Sequence, residues 1–168
     1  QTFGFNTAIE KAKDVLDCAH NEARSAPNGI GLVKLMGRFA GFIACGATLA
    51  SQDVNFTLIP EVPFALEGKN GFLAQLHKRI LTRGHAVVVV AEGAGQGLFQ
   101  DTSGEKDASG NLKLQDIGDL LRRRIPEHFK EQDTPVEVKY FDPSYFIRSV
   151  PANATDRVLS DQLARYAV

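Results

Sequence analysis

The hydrophobic pattern of the chain alternates between stretches that suit helices and short runs that are apolar throughout. Helices are predicted over residues 8–23, 41–51, 71–81, 114–129 and 154–167. Strands are predicted over residues 30–36, 54–59, 86–91 and 136–140. The strand at 86–91 contains four consecutive valines and is apolar on both faces, which is typical of the centre of a parallel sheet.

This alternation of strands and helices predicts βαβ units and an α/β fold with a parallel sheet. Right-handed crossovers would place helices on both faces of the sheet, which gives a doubly wound fold of three layers. In such folds the ligand binds outside the carboxyl ends of the strands. The residues that follow each strand are therefore the first candidates for a functional site.

Composition and charge narrow the classes of function. The 168 residues are 43% hydrophobic and 23% charged, with a formal net charge of −1, so no nucleic-acid partner is expected. No apolar run approaches the roughly 20 residues that span a bilayer, so no membrane partner is expected either. Cys18 and Cys45 are too few for a disulfide framework or a four-thiolate zinc site. Buried, reduced thiols are predicted, in keeping with a cytoplasmic protein.

Polar residues follow all four predicted strands. Arg38 follows the first strand and Arg148 follows the fourth, and each can hold a phosphate with a planar fork of donors. Glu61 follows the second strand and can accept hydrogen bonds from sugar hydroxyls, while Tyr145 can donate to a phosphate oxygen. Because the carboxyl ends of parallel strands share one edge of the sheet, these four groups together favour a binding site there, whereas each alone would indicate an ordinary surface residue.

The corner after the first strand has a further feature. Gly37 allows a sharp turn and a close approach of the backbone to a ligand. The helix predicted from residue 41 would offer free N–H groups and a positive dipole end to an anion.

Other polar features are weaker candidates. The glycines at 93, 95 and 97 favour a flexible loop over a phosphate cradle, since no Gly-Lys-Ser/Thr follows them. Glu92 could bind a metal, act as a base or simply face solvent. The run 122–124 of arginines favours a solvated helix face, with an anionic effector site as the alternative. The four histidines lack metal-ligand spacing.

Four segments carry a resemblance to a known family, and the resemblance covers essentially all 168 residues. They read LMGRFAGFIA at 35–44, IPEVPF at 59–64, VAEGAGQ at 90–96 and YFDPSYFIRSVPANA at 140–154. They resemble the 6-phosphofructokinase family, in particular the branch of plant, trypanosomatid and various bacterial and protist enzymes. The resemblance implies part of a phosphofructokinase-like doubly wound sheet. Residues 1–140 would form a sugar-phosphate-binding domain, and 141–168 a 6-phosphate-binding loop and a helix leading back to a nucleotide-binding domain.

The resemblance implies roles for the residues at the first two strand ends. Met36, Gly37 and Arg38 would hold fructose 6-phosphate near its reacting 1-hydroxyl. Arg38 would also stabilise charge on the transferring phosphoryl group, which makes it the one catalytic residue implied within this sequence. Glu61 would hold the sugar hydroxyls.

The resemblance also implies contacts with the sugar 6-phosphate. Tyr145 and Arg148 would bind that phosphate, although bacterial relatives commonly have histidine at the Tyr145 position. Lys139 stands where the family has an arginine that reaches the 6-phosphate in a neighbouring subunit, so it keeps the charge and loses the fork. A second such arginine would fall near Gly29, where nothing basic stands.

The activity implied is transfer of a phosphoryl group from ATP, with Mg²⁺, to the 1-hydroxyl of fructose 6-phosphate in glycolysis. The family's glycine-rich nucleotide loop and catalytic aspartate segment would lie upstream of residue 1. ATP and Mg²⁺ would therefore be bound mainly outside this sequence, which is expected to be inactive alone and whose ends are expected to be cut. A homo-oligomer, dimer or tetramer, is implied. Pyrophosphate as donor, and a non-catalytic sugar-phosphate-binding module, remain open.

Overall fold

The computed structural model describes residues 4–99, 110 and 113–167. Along these residues the elements are α1 (Phe5–Ser25), β1 (Gly29–Leu35), α2 (Phe42–Ser51), β2 (Phe56–Leu58), α3 (Phe72–Arg83), β3 (His85–Ala91), α4 (Ile117–Glu131), β4 (Glu137–Phe141), α5 (Ser144–Arg148) and α6 (Ala154–Tyr166). A single 3₁₀ turn, Gln96–Leu98, follows β3.

The strands form a parallel sheet in the order β2-β3-β1-β4. Gly29 of β1 pairs with His85 of β3 on one side and with Glu137 of β4 on the other, and Leu58 of β2 pairs with Val90. The predicted parallel sheet is thus confirmed, and the valine-rich strand β3 lies in its interior.

Helices cover both faces of the sheet. Since successive residues of a strand point to opposite faces, each strand contributes side chains to both cores. On one face Leu32 and Val88 belong to a core that includes Leu76 of α3 and Leu121 of α4. On the other face Val33, Leu35, Val87 and Val89 belong to a core that includes Leu16 of α1 and Ala44 of α2. These two cores confirm the predicted three-layer α/β fold.

Close packing of α1 on β1 depends on a glycine in the strand. A Cβ atom placed on Gly31 would lie 2.7 Å from the carbonyl oxygen of Ala19. The helix axis can therefore approach the strand more closely than a side chain at residue 31 would permit.

The structure differs from the sequence prediction in several places. The helix predicted from residue 114 begins at Ile117, because Asp116 caps it by accepting from the backbone N–H of Asp119 at 3.1 Å. The strand predicted over 54–59 is limited to β2. The segment 144–148, predicted as a loop, folds as α5. Of the polar stretch 92–110, residues 100–109 lie outside the described residues.

The prediction that both cysteines are buried is wrong. Cys18 is exposed and Cys45 is half-buried. The buried stripe of α1 consists of Thr7, Ala8, Ala12, Leu16, Ala19 and Ala23. Cys18 lies outside that stripe and is therefore exposed, although its apolar neighbours in the sequence favoured burial.

None of the helices in the described part of the chain combines the length and the apolar character that a bilayer crossing requires.

Candidate functional site

The carboxyl ends of β1 and β3 are locked together at Gly37. Gly37 has a φ of 148°, a conformation that residues with side chains rarely adopt. Its carbonyl accepts from the backbone N–H of Gly93 at 3.0 Å, and its own N–H points to Oε1 of Glu92 at 3.5 Å. A Cβ atom on Gly93 would lie only 1.8 Å from the carbonyl oxygen of Arg38. The main chain at this corner is therefore fixed by its two glycines.

Arg38 carries its guanidinium group at this corner. The side chain is partly buried, and its guanidinium carbon lies 5.8 Å from the centre of the Phe39 ring. Stacking of this kind is favourable for arginine. A positive charge is thus held where the first strand ends, as the sequence predicted.

The N-terminus of α2 already has an anionic partner within the chain. Both carboxylate oxygens of Glu61 accept from the backbone N–H of Gly41, at 2.8 and 3.0 Å. Glu61 therefore takes a group that the sequence predicted to be free for a ligand. Its side chain is exposed, and a carboxylate has about four acceptor positions, so it keeps capacity for hydroxyl donors.

Arg148 reaches back from α5 to the end of β1. Its Nε donates to Sδ of Met36 at 3.0 Å. Both side chains line a cavity of about 250 Å³ between α1 and α5. Tyr145 is 86% exposed and lies three residues before Arg148 on the same short helix, a spacing that puts both side chains on one face.

The strand order separates two of the predicted groups. Glu61 follows β2 and Arg148 follows β4, and these are the two outer strands of the sheet. Three strand spacings lie between these two strands, about 14 Å along the edge. The side chains cross part of that distance, since Arg148 contacts Met36 and Glu61 accepts from Gly41, three residues after Arg38.

Lys139 lies away from this edge. It pairs with Gly31 in the register between β1 and β4, in the middle of its strand. Its ammonium group forms an ion pair with Glu137 at 2.5 Å, and that hydrogen bond is the main cause that raises the pKa of Lys139 above its ordinary value. Lys139 is partly exposed in the middle of its strand, so it does not belong to the groups at the strand ends.

A charged group that the sequence analysis did not single out lies beside the site. Nζ of Lys34, on β1, is 3.0 Å from Oδ2 of Asp116 and 3.0 Å from Oδ2 of Asp142. Burial lowers the pKa of Lys34, but its hydrogen bonds to the two carboxylates outweigh that effect and hold the pKa above its ordinary value. Burial raises the pKa of Asp142, but hydrogen bonds from Ser144 and Lys34 bring it below its ordinary value. The available signal was a lysine inside an otherwise apolar strand, which requires a partner when buried.

The other candidates have structural explanations. Arg123 pairs with Asp119, and Arg124 forms ion pairs with Glu67 and Glu127, which suits a solvated helix face. The glycines at 93, 95 and 97 line an open cleft of about 420 Å³ under the loop at 60–64. Within the described ranges, no group of three or more His, Cys, Asp or Glu side chains could hold a metal ion.

The described elements form a doubly wound α/β domain, a class of fold that binds its ligand at the carboxyl edge of the sheet. The family model described as Phosphofructokinase matches residues 1–168, and the chain belongs to that family. The resemblance seen in the sequence is thereby confirmed.

Named relatives match the chain over its whole length. ATP-dependent 6-phosphofructokinase 1 of Arabidopsis thaliana is 53% identical over 172 residues, which cover 100% of this chain and 36% of that protein. ATP-dependent 6-phosphofructokinase 5, chloroplastic, of the same plant is 52% identical over 168 residues, covering 100% of this chain and 31% of that protein. The chain spans about a third of the length of these relatives.

A solved structure shows the same fold. The phosphofructokinase of Saccharomyces cerevisiae superimposes with a TM-score of 0.64 at 22% identity, over 95% of this chain and 18% of that one. At this identity the likeness concerns the fold alone.

Proposed function

We propose that this chain is the sugar-phosphate-binding part of an ATP-dependent 6-phosphofructokinase, which converts fructose 6-phosphate to fructose 1,6-bisphosphate in glycolysis. The observation that carries the proposal is the contact between Arg148 and Met36. It places Arg148 against Met36, two residues before Arg38, within a family whose named relatives are kinases of this specificity.

Arg38 is the catalytic residue in this proposal. Phosphoryl transfer depends on positioning and on stabilising the charge of the transferring group, with little covalent chemistry by the protein. A guanidinium held at a rigid strand end is suited to that task, because it needs little reorganisation when charge develops. Gly37 and Met36 would lie against the sugar near its 1-hydroxyl.

Arg148 and Tyr145 hold the distal 6-phosphate. A guanidinium offers paired donors to phosphate, and the exposed phenol of Tyr145 adds a third. Glu61 remains the proposed acceptor for sugar hydroxyls through its unused acceptor positions. Lys139 would contact the sugar 6-phosphate of a neighbouring subunit in a homo-oligomer.

ATP is the proposed donor, because the relatives described above are named as ATP-dependent. The described residues offer no cluster that fits a metal ion, so we propose that Mg²⁺ and ATP are held by the rest of the enzyme. A cytoplasmic location is proposed as well, although the name of one relative places that protein in the chloroplast.

The test is a coupled assay of the whole enzyme with fructose 6-phosphate and either ATP or pyrophosphate. Formation of fructose 1,6-bisphosphate with ATP is the expected result. Formation of the product with pyrophosphate but not with ATP would show that pyrophosphate is the donor. Binding of fructose 6-phosphate without turnover of either donor would indicate a sugar-phosphate-binding module, and absence of both binding and turnover would overturn the proposal.

A further inference from the structure

Lys34 occupies a position on β1 where a charge would be costly without partners. Its neighbours Val33 and Leu35 are buried, and its own side chain is only 14% exposed. The stem passes beside Gly118 of α4, where a Cβ atom would lie 3.0 Å from Cδ of Lys34 and 2.4 Å from the hydroxyl of Tyr140. The absence of a side chain at 118 therefore makes room for this lysine.

The two carboxylates that pair with Lys34 each bind the first turn of a helix: Asp116 is the N-cap of α4, and Asp142 lies two residues before α5. Asp116 uses Oδ2 for Lys34 and Oδ1 for the backbone N–H of Asp119, which caps α4. Asp142 uses Oδ2 for Lys34 and Oδ1 for the backbone N–H and the hydroxyl of Ser144, at 3.3 and 2.5 Å. One ammonium group thus ties the first turns of two helices to the central part of the sheet.

Helix α5 depends on tertiary contacts, namely Ile147 in the core beneath α1 and the ties of its two ends to β1. Its five residues are far fewer than an isolated helix needs to be stable. Ile147 is buried, while Tyr145 and Phe146 are largely exposed. The first turn is tied through Asp142 to Lys34, and the last residue contacts Met36, so both ends of α5 are held by one stretch of β1.

We propose that Lys34 is a positioning residue that fixes α5 through Asp142 and so sets the affinity for a sugar phosphate held by that helix. The inference rests on the proposed function for its ligand. Lys34 itself touches no substrate. Its charge keeps two neighbouring carboxylates in place, and removing it leaves them to repel each other.

The test compares two matched substitutions in the whole enzyme. Asp142→Asn keeps the shape and the acceptor for Ser144 but breaks the ion pair between Lys34 and α5. Asp116→Asn breaks the equivalent ion pair to α4, which carries none of the proposed sugar contacts. Asp142→Asn is expected to raise the KM for fructose 6-phosphate about tenfold, with kcat nearly unchanged. This is smaller than the roughly hundredfold loss that a misplacement of 1 Å can cause, because α5 keeps its other contacts. Asp116→Asn is expected to leave that KM near its wild-type value.

Hydrogen exchange of the amides at 144–149 gives a second measurement that does not depend on the ligand. Asp142→Asn, and also Lys34→Met where it folds, should speed this exchange, and Asp116→Asn should not. Equal changes in KM for both aspartate variants, or unchanged exchange in Asp142→Asn, would overturn the inference. If the wild-type enzyme binds no fructose 6-phosphate, the proposed function fails. Faster exchange in Asp142→Asn alone would then still support the positioning of α5 by Lys34.

Discussion

Asp156 accepts from both the backbone N–H and the hydroxyl of Thr7, at 2.7 and 2.6 Å. Asp156 is only 1% exposed. The same Thr7 hydroxyl accepts from the backbone N–H of Asn153, at the N-cap of α6. Asp156 is the buried residue of α6, so this cluster is the anchor between α6 and the first turn of α1.

Substitution of Thr7 tests that anchor. Thr7→Val keeps the shape of the side chain and removes the hydroxyl, which leaves a buried carboxylate with fewer donors. A loss of about 1–3 kcal/mol in the free energy of unfolding is expected, measured by urea denaturation of the 168-residue chain. Thr155→Val, at an exposed position of α6, is the control and should change little. An equal effect of both substitutions would contradict the anchor.

The anchor should also depend on pH. Burial raises the pKa of Asp156, but hydrogen bonds from Thr7 and Asn6 outweigh it, so the pKa lies below its ordinary value. A carboxyl group with a lowered pKa in the folded state stabilises the fold fully above the unfolded-state pKa, about 3.9. That contribution is lost as the pH falls through the folded-state pKa. Thermal unfolding between pH 7 and pH 2 should therefore show an acid loss that is smaller in Asp156→Asn.

The glycine corner predicts a sharp difference between two alanine substitutions. Gly93→Ala would place its Cβ atom 1.8 Å from the carbonyl oxygen of Arg38, whereas a Cβ atom at Gly97 meets nothing within 4 Å. Gly93→Ala should cost about 1–3 kcal/mol of stability, as overpacking does, and should reduce the activity of the whole enzyme. Gly97→Ala should stay within about 0.5 kcal/mol of the wild type. If Gly93→Ala had the same melting temperature and activity as the wild type, the corner would not be rigid.

Arg38→Ala tests the catalytic assignment. If Arg38 stabilises charge on the transferring phosphoryl group, its loss should lower kcat of the whole enzyme by roughly a hundredfold or more. Arg165→Ala, on the exposed face of α6, is the matched control for loss of an arginine. Steady-state kinetics at saturating fructose 6-phosphate measure both variants. An intact kcat with only a raised KM would reduce Arg38 to a binding residue.

The elements and the fold class could be predicted because each depends on local pattern. The valines of β3 and the apolar stripe of α3 indicate their own burial, and the position of Gly37 and Arg38 after β1 follows from the parallel sheet. The order of the strands has no such local signal. It places β2, which precedes Glu61, and β4, which precedes Arg148, at opposite edges of the sheet.

The parts that sequence reasoning missed depend on contacts between distant residues. Lys34 and Asp116 are 82 residues apart, and although the apolar strand around Lys34 indicates that it needs a partner, nothing in the sequence indicates which one. Helix α5 is too short to show a helical period, and the proline before it suggests a turn. The exposure of Cys18 depends on which face of α1 meets the sheet, which its neighbours in the sequence do not reveal.

The most direct test of the proposed function is the binding of fructose 6-phosphate to the whole enzyme and to its Arg148→Ala variant, measured by isothermal titration calorimetry. Loss of a charge-assisted hydrogen bond costs about 1.5–3 kcal/mol, so the Kd should rise by roughly ten- to a hundredfold, with kcat at saturating sugar little changed. Binding of ATP should stay as in the wild type. An unchanged Kd for fructose 6-phosphate would contradict the account, because it would place the sugar phosphate away from this edge.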